Sequence, residues 1–181
     1  MQVKDRIILA LDVDNEVLAL NLVEKLQSHV GLFKVGMQLY HSVGPEIINK
    51  IHDLGGQVFL DLKFHDIPNT VGAVSRVAAR YGCLMFNVHT AGGSTMMKTA
   101  AEAVKEEAER RGIPPSRVLG VTLLTSLSRE QINNELGLPG AIQDTVVKWS
   151  ALARDSGLDG VVASPQEVPA IRKECGPDFL I

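Results

Sequence analysis

At 181 residues, with 45% hydrophobic and 22% charged side chains, the chain has the balance of one globular domain large enough to bury a core, which excludes disorder as its main state. The 18 Lys and Arg against 21 Asp and Glu leave a net charge of -3 and form no basic stripe, so nucleic acid is not an expected partner. Residues 1–5 do not lead into an apolar leader and no apolar run approaches ~18 residues, so the expectation is a cytoplasmic protein with no membrane partner.

Residues 6–13 (RIILALDV) form an apolar run ending in Asp12 and read as a strand, after which Asn15 is a good N-cap for a helix carrying Leu18, Leu22 and Leu26 at four-residue spacing. Gly31 ends that helix, and residues 32–36 make a second strand with Lys34 inside it. Pro45 fits the first position of a helix whose apolar face is Ile47, Ile48, Ile51 and Leu54, with Gly55-Gly56 as its stop. Residues 58–64 read as a third, buried strand, followed by a helix over 69–81 and a fourth strand over 84–89. Gly92-Gly93-Ser94 opens a long helix that turns Met97, Ala101, Val104 and Ala108 inward and Lys105, Glu106, Glu109 and Arg110 to water. Gly112 and Pro114-Pro115 end it, and residues 118–124 form a fifth strand. Ser128 and Gln131 pattern as a capping box for a short helix, a longer helix spans 142–156, and residues 160–163 are a sixth strand. Ser164-Pro165-Gln166-Glu167 combines N-cap, N1 proline and capping-box glutamate, and Phe179-Leu180-Ile181 reads as a seventh strand. Cys83 and Cys175 have no Cys-x-x-Cys partner and read as two buried, unreactive thiols.

Strands and helices alternate every roughly 25 residues, the signature of repeated βα units on a parallel sheet. Seven units imply an eighth. The expected fold class is therefore α/β, a (β/α)8 TIM barrel, with 1–181 as a single domain that stops at strand 7 and lacks its C-terminal βα units. A doubly wound open sheet is the alternative, but no Gly-x-Gly-x-x-Gly follows the first strand.

In a barrel the polar residues at the carboxyl ends of strands converge on one mouth. Here they are Asp12, Lys34, Asp61, Lys63, Asp66, His89 and Thr125-Ser126. Strand alternation puts Asp61 and Lys63 on the same face as Phe59, where a core would be expected. Burying a carboxylate and an ammonium costs several kcal/mol per ion unless each is well paired, which favours a functional site over a solvated salt-bridge cluster, although ion-pair networks are also built for structure. Carboxylate neighbours favour the ammonium form of a lysine, so Lys63 suits a proton donor aimed at a developing carbanion better than a nucleophile. Metal binding is the rival use of these residues. His29, His41, His52, His65 and His89 form no His-x-x-x-His or His-Glu-x-x-His pair, and a lysine between aspartates competes with a cation. His65 and His89 either line the mouth or serve packing.

The run Asp61-Leu62-Lys63-Phe64-His65-Asp66-Ile67-Pro68-Asn69-Thr70 resembles the signature of the orotidine 5'-phosphate decarboxylase family. The resemblance extends through Leu11-Asp12, Phe33-Lys34-Val35-Gly36, Asn87-Val88-His89 with Gly92-Gly93, Val121-Thr122-Leu123-Leu124-Thr125-Ser126 and Gly157-Leu158-Asp159-Gly160-Val161-Val162, essentially the whole chain. It implies loss of CO2 from orotidine 5'-phosphate to give UMP in pyrimidine biosynthesis, with no metal and no cofactor. Lys63 would protonate C6 of the pyrimidine, Asp61 would sit against the departing carboxylate, and Lys34, Asp61, Lys63 and Asp66 would form a charged tetrad. Asp12 and Lys34 would hold ribose hydroxyls, and Thr125 with Ser126 would meet the pyrimidine. The resemblance also implies a homodimer in which Asp66, Ile67 and Thr70 reach into the partner's site. The phosphate-gripping loop and Gly-Arg pair of the family's last two βα units are not in this sequence, so the chain as it stands is expected to be a poor catalyst.

A metal-dependent phosphosugar lyase or aldolase shares the barrel and the sparse Asp-x-Lys-x-x-Asp frame and is the nearest alternative. A Schiff-base aldolase using Lys63 is disfavoured, because that chemistry needs the free amine. A non-catalytic nucleotide-binding fragment is the alternative from another class, since fold alone does not set function.

Overall fold

In the computed structural model, which describes residues 3–181, six parallel strands lie side by side in chain order. They are β1 (Ile8–Ala10), β2 (Leu32–Gly36), β3 (Val58–Phe64), β4 (Met85–His89), β5 (Arg117–Val121) and β6 (Gly160–Val162). The helices between them are α1 (Glu16–Leu26), α2 (Met37–Val43), α3 (Glu46–Asp53), α4 (Pro68–Arg80), α5 (Gly93–Arg111) and α6 (Ile142–Asp155), with α7 (Val168–Cys175) after β6. A doubly wound sheet reverses its strand order partway, and this one does not. The architecture is a curled α/β sheet of the barrel type. Leu180 carries it further: its N–H donates to the Asp159 carbonyl at 3.0 Å and its carbonyl accepts from Val161 at 2.9 Å. The expected seventh strand is thus met as one parallel bridge between Gly160 and Leu180.

Alternation divides each strand between two environments. Phe33 and Val35 of β2, Leu60 of β3 and Phe86 and Val88 of β4 face the helix layer and join Ile47, Ile48, Met96 and Met97 in the main core. Leu32, Phe59, Met85 and Leu119 point to the other side and form a smaller apolar cluster with Leu180. This inner cluster is the floor on which the polar residues stand.

Most elements fall where their sequence signals put them, with informative shifts. Asn15 caps α1, accepting from the Leu18 N–H at 3.1 Å, but the buried stripe is Ala19 and Val23, and Leu18 is 54% exposed. Helical geometry centres the stripe one residue further on, with Leu22 and Leu26 at its margins. Helix α2 was not expected; only Leu39 on it is buried, too little to show as periodicity in seven residues. Leu54 lies beyond α3 and is exposed, because the helix closes at Asp53. Strand β5 ends at Val121, leaving Thr122, Leu123 and Leu124 outside it. The Ser128–Gln131 box does form, at 3.0 and 3.2 Å, yet it opens a single π-type turn, Gln131–Glu135. Cys83 is buried, and burial pushes its thiol up to about 12; Cys175 is only partly buried, being at the end of α7. Among the described residues no helix is long and apolar enough to cross a membrane.

Two packing features are testable. A Cβ on Gly160 would be driven into the carbonyl and side chain of Leu180, so Gly160→Ala is expected to cost ~1–3 kcal/mol, read as a lower urea midpoint with an unchanged m-value. On α5, Glu107 is 3% exposed and accepts from Arg110 at 2.6 and 3.2 Å and from Arg111 at 2.8 Å. Those hydrogen bonds from Arg110 and Arg111, opposed by burial, hold its carboxyl at about 2 against an ordinary 4.5. A folded-state value below the unfolded one contributes stability that is full above the unfolded value and lost as pH falls through the folded one. Glu107→Gln should therefore be less stable than the wild type at neutral pH, and the gap should close between pH 4.5 and about 2 in denaturation curves run across that range.

Candidate active site

Two residues beyond the apolar floor, the same inner columns become polar. Leu32 is followed on its face by Lys34, Phe59 by Asp61 and Met85 by Asn87. The charged layer is therefore the next tier of one packed interior, facing the carboxyl ends of the strands where this fold builds its sites.

Strand β3 departs from regular pairing at this tier. Leu60 pairs with Phe86 and Phe64 with Val88, so Asp61, Leu62 and Lys63 lie opposite the single residue Asn87. Such a bulge bends the strand and re-aims its side chains. Within it Lys63 has φ 53°, the left-handed region, which costs a non-glycine residue roughly 1–2 kcal/mol. Simple alternation anticipated that Asp61 and Lys63 would meet; in the structure they meet across a bulge, with Lys63 Nζ donating to Asp61 Oδ1 at 2.7 Å.

Asp61 is the hub. Its Oδ1 also accepts from Asn87 Nδ2 at 2.7 Å, and its Oδ2 lies 3.5 Å from Lys34 Nζ. Lys34 Nζ in turn donates to Asp12 Oδ1 at 2.8 Å. Gly36 keeps this pair uncrowded, since a Cβ there would stand 3.3 Å from Lys34 Nζ and 3.7 Å from Asp12 Oδ1. The side chains of Asp61, Lys34 and Lys63 are 14%, 22% and 25% exposed, so the ions are neither sealed in nor freely solvated. Burial pushes the Asp61 carboxyl up, but hydrogen bonds from Lys63 and Asn87 and the charges of Lys63 and Lys34 outweigh it and hold the group below the usual carboxylate range. His65 and His89 lie ring to ring at 5.3 Å beside the cluster, and His89 is pushed below the ordinary imidazole value by burial and by His65 and Lys63, against the pull of Asp61. Among the described residues no three His, Cys, Asp or Glu side chains gather as ligands for a metal ion.

The structure thus brings together Asp12, Lys34, Asp61 and Lys63, and leaves other expected residues apart. Asp66 is exposed, its Oδ1 accepts from the adjacent Ile67 N–H at 2.6 Å, and it joins none of the cluster's ion pairs. Ile67 is 67% exposed and Thr70 is exposed on the first turn of α4. Thr125 lines a cavity of about 400 Å³ with Leu123, Ile132, Ile142, Ser164 and Gln166; Ser126 is exposed next to it. Asn87 was not singled out from the sequence as a site residue. Its signal was a buried amide between apolar neighbours in a strand, the same anomaly that marked Asp61.

A profile of the Orotidine 5'-phosphate decarboxylase / HUMPS family matches residues 5–181. An orotidine 5'-phosphate decarboxylase of Syntrophomonas wolfei is 56% identical over 182 residues, covering 100% of this chain and 76% of that protein. Another, from Moorella thermoacetica, is 48% identical over 181 residues, covering 100% of this chain and 72% of its own. Among solved structures, the orotidine 5'-phosphate decarboxylase of Lactobacillus acidophilus superposes with a TM-score of 0.86 at 37% identity, over 96% of this chain and 78% of that one. An uncharacterized conserved protein from Geobacillus kaustophilus superposes with a TM-score of 0.90 at 39% identity, over 96% and 80% of the two chains. With that profile running through both ends of the sheet, and the charged strand β3 at its centre, the chain belongs to the orotidine 5'-phosphate decarboxylase / HUMPS family.

Proposed function

We propose that this protein is a carboxy-lyase that converts orotidine 5'-phosphate to UMP and CO2 in pyrimidine biosynthesis, without a metal or cofactor. The observation that carries the reading is the Lys34–Asp61–Lys63 chain of charges, at 3.5 and 2.7 Å, across the inner faces of β2 and β3 in a family member. In the proposed reaction the bond from C6 of the pyrimidine to its carboxylate breaks, and the electron pair stays on C6. The Lys63 ammonium delivers the proton that C6 takes up, and CO2 departs. Asp61 stands against the departing carboxylate. Asp12 and Lys34 take the ribose hydroxyls, and Thr125 and Ser126 meet the pyrimidine.

The proposed catalytic unit is a homodimer in which Asp66, Ile67 and Thr70 complete the partner's site. What supports this is that Asp66 stays outside the Lys34–Asp61–Lys63 ion pairs, accepting instead from the Ile67 N–H, and that Ile67, a large apolar side chain, stands 67% exposed two residues after the cluster's flanking His65. The proposed location is the cytoplasm, because a multiply charged nucleotide does not cross a bilayer unaided.

The direct test follows the absorbance change as orotidine 5'-phosphate is converted by the folded, full-length protein in the presence of EDTA. Turnover should persist with the chelator, and Lys63→Ala should lower kcat by ~10²–10⁴-fold, the usual range for a general acid. Loss of activity with EDTA would point instead to a metal-dependent phosphosugar lyase, and absence of turnover would overturn the reading. The shared site has its own test. Lys63→Ala and Asp66→Asn should each be nearly inactive alone, whereas refolded mixtures should recover about a quarter of wild-type activity, because each mixed dimer contains one intact site. Mixtures no more active than the separate variants would rule out the shared arrangement.

A further inference from the structure

Asn87 is 1% exposed and sits in the middle of β4 between Phe86 and Val88, both fully buried. A buried amide must have its hydrogen bonds made, and Asn87 directs both ends of its side chain at β3. Its Nδ2 donates to Asp61 Oδ1 at 2.7 Å, and its Oδ1 accepts from the Lys63 N–H at 2.8 Å. Only one orientation of the amide permits this. Reversed, its oxygen would face a carboxylate and its amino group a backbone N–H.

The two contacts fall on the two residues that flank Leu62 in the bulge, where three residues of β3 oppose Asn87 alone. A main-chain acceptor in regular register would ordinarily take the Lys63 N–H; here the side chain of Asn87 does so, at the residue whose φ is 53°. Asn87 therefore touches the main chain of one charged residue and the charged group of the other.

We propose that Asn87 is a positioning residue of the site: it fixes the backbone from which Lys63 projects and at the same time keeps a donor on the Asp61 carboxylate. The link to turnover rests on the decarboxylase reading above; the link between Asn87 and Asp61 does not. The two lysines neutralise Asp61 but hang from flexible stems, whereas a side-chain amide on a neighbouring strand is rigidly placed. Asn87 supplies the fixed point of the network. A purely packing role predicts something different, namely that a shape-conserving replacement leaves the ionisation of Asp61 untouched.

The experiment is a carbon-13 NMR titration of the Asp61 carboxyl in the ligand-free, full-length protein, assigned with Asp61→Asn, in the wild type, Asn87→Ala and Asn87→Asp. Alongside it, kcat and KM for orotidine 5'-phosphate are measured across the same pH range. In Asn87→Ala the Asp61 titration should move up, because one of the hydrogen bonds holding it down is gone. In Asn87→Asp, nearly identical in volume, it should move further, because a second carboxylate then stands at hydrogen-bond distance. The acid limb of the kcat profile should rise with it, kcat should fall on the order of 100-fold as the lysine loses its aim, and KM should change far less. An Asp61 titration and acid limb that stay at their wild-type positions in folded Asn87→Asp would overturn the proposal, whatever kcat does. Should both variants fail to fold, the wild type still decides: its Asn87 side-chain amide protons should shift along the Asp61 titration curve, and a flat response would overturn the proposal. Wild-type protein that titrates as expected but does not turn over orotidine 5'-phosphate would sink the decarboxylase reading and leave the Asn87–Asp61 link standing.

Discussion

The organising interaction is the Asp61 carboxylate, held at one oxygen by Lys63 and Asn87 at 2.7 Å each and faced at the other by Lys34 at 3.5 Å. A carboxylate at this depth is unfavourable unless its partners are already in place, since desolvation alone drives it toward the neutral form. Its three partners come from β2, β3 and β4, so they are in place only when those strands are paired in this register. The ion network does not make the sheet; the sheet's apolar floor and helix-facing core do that, and the network takes its geometry from them.

That dependence explains the layering of the interior. Leu32, Phe59, Met85 and Leu119 form the floor because a parallel sheet curled in the manner of a barrel fills its inner space with side chains in tiers. The next tier keeps the same directions but exchanges hydrocarbon for charge at Lys34, Asp61 and Asn87. The bulge in β3 lies at this boundary. Below it the β3–β4 pairing is regular at Phe59 and Leu60; above it Lys63 has turned into the left-handed region. Strain concentrates at the charged tier, where the chemistry is proposed, and the regular tier beneath supports it.

How much of this could be read beforehand differs by physical cause. Strand β3, residues 58–64, and strand β2 were legible to the residue, because a run of apolar side chains interrupted by charge has no other comfortable environment. The inward face of α5 was legible because nineteen residues give helical periodicity room to show. Helix α2 was not, because one buried side chain has no period. The pairing of Asp61 with Lys63 followed from alternation, but the bulge that shapes it did not, since a bulge depends on the register between two strands and no single stretch encodes register. For the same reason Asn87 escaped notice as a site residue: its partners are 24 and 26 positions earlier. Asp66 shows the opposite limit, conspicuous in the motif yet turned to its own Ile67 N–H in the folded chain.

The direction of the Asp61 shift bears on the chemistry proposed. A carboxylate meant to stand beside an anionic substrate group is useful only if it stays charged when that group arrives; a carboxyl with a raised value would relieve the repulsion more readily by taking up a proton. Here hydrogen bonds from Lys63 and Asn87, with the charges of Lys63 and Lys34, oppose that escape and overcome the effect of burial. Crowding of the bound substrate and stabilisation of the transition state place the same requirement on the protein: Asp61 must be both ionised and immobile. Two flexible lysines can meet the first condition, and the amide on β4 with the bulged backbone of β3 meets the second, which is why the proposed site belongs on strands rather than on loops.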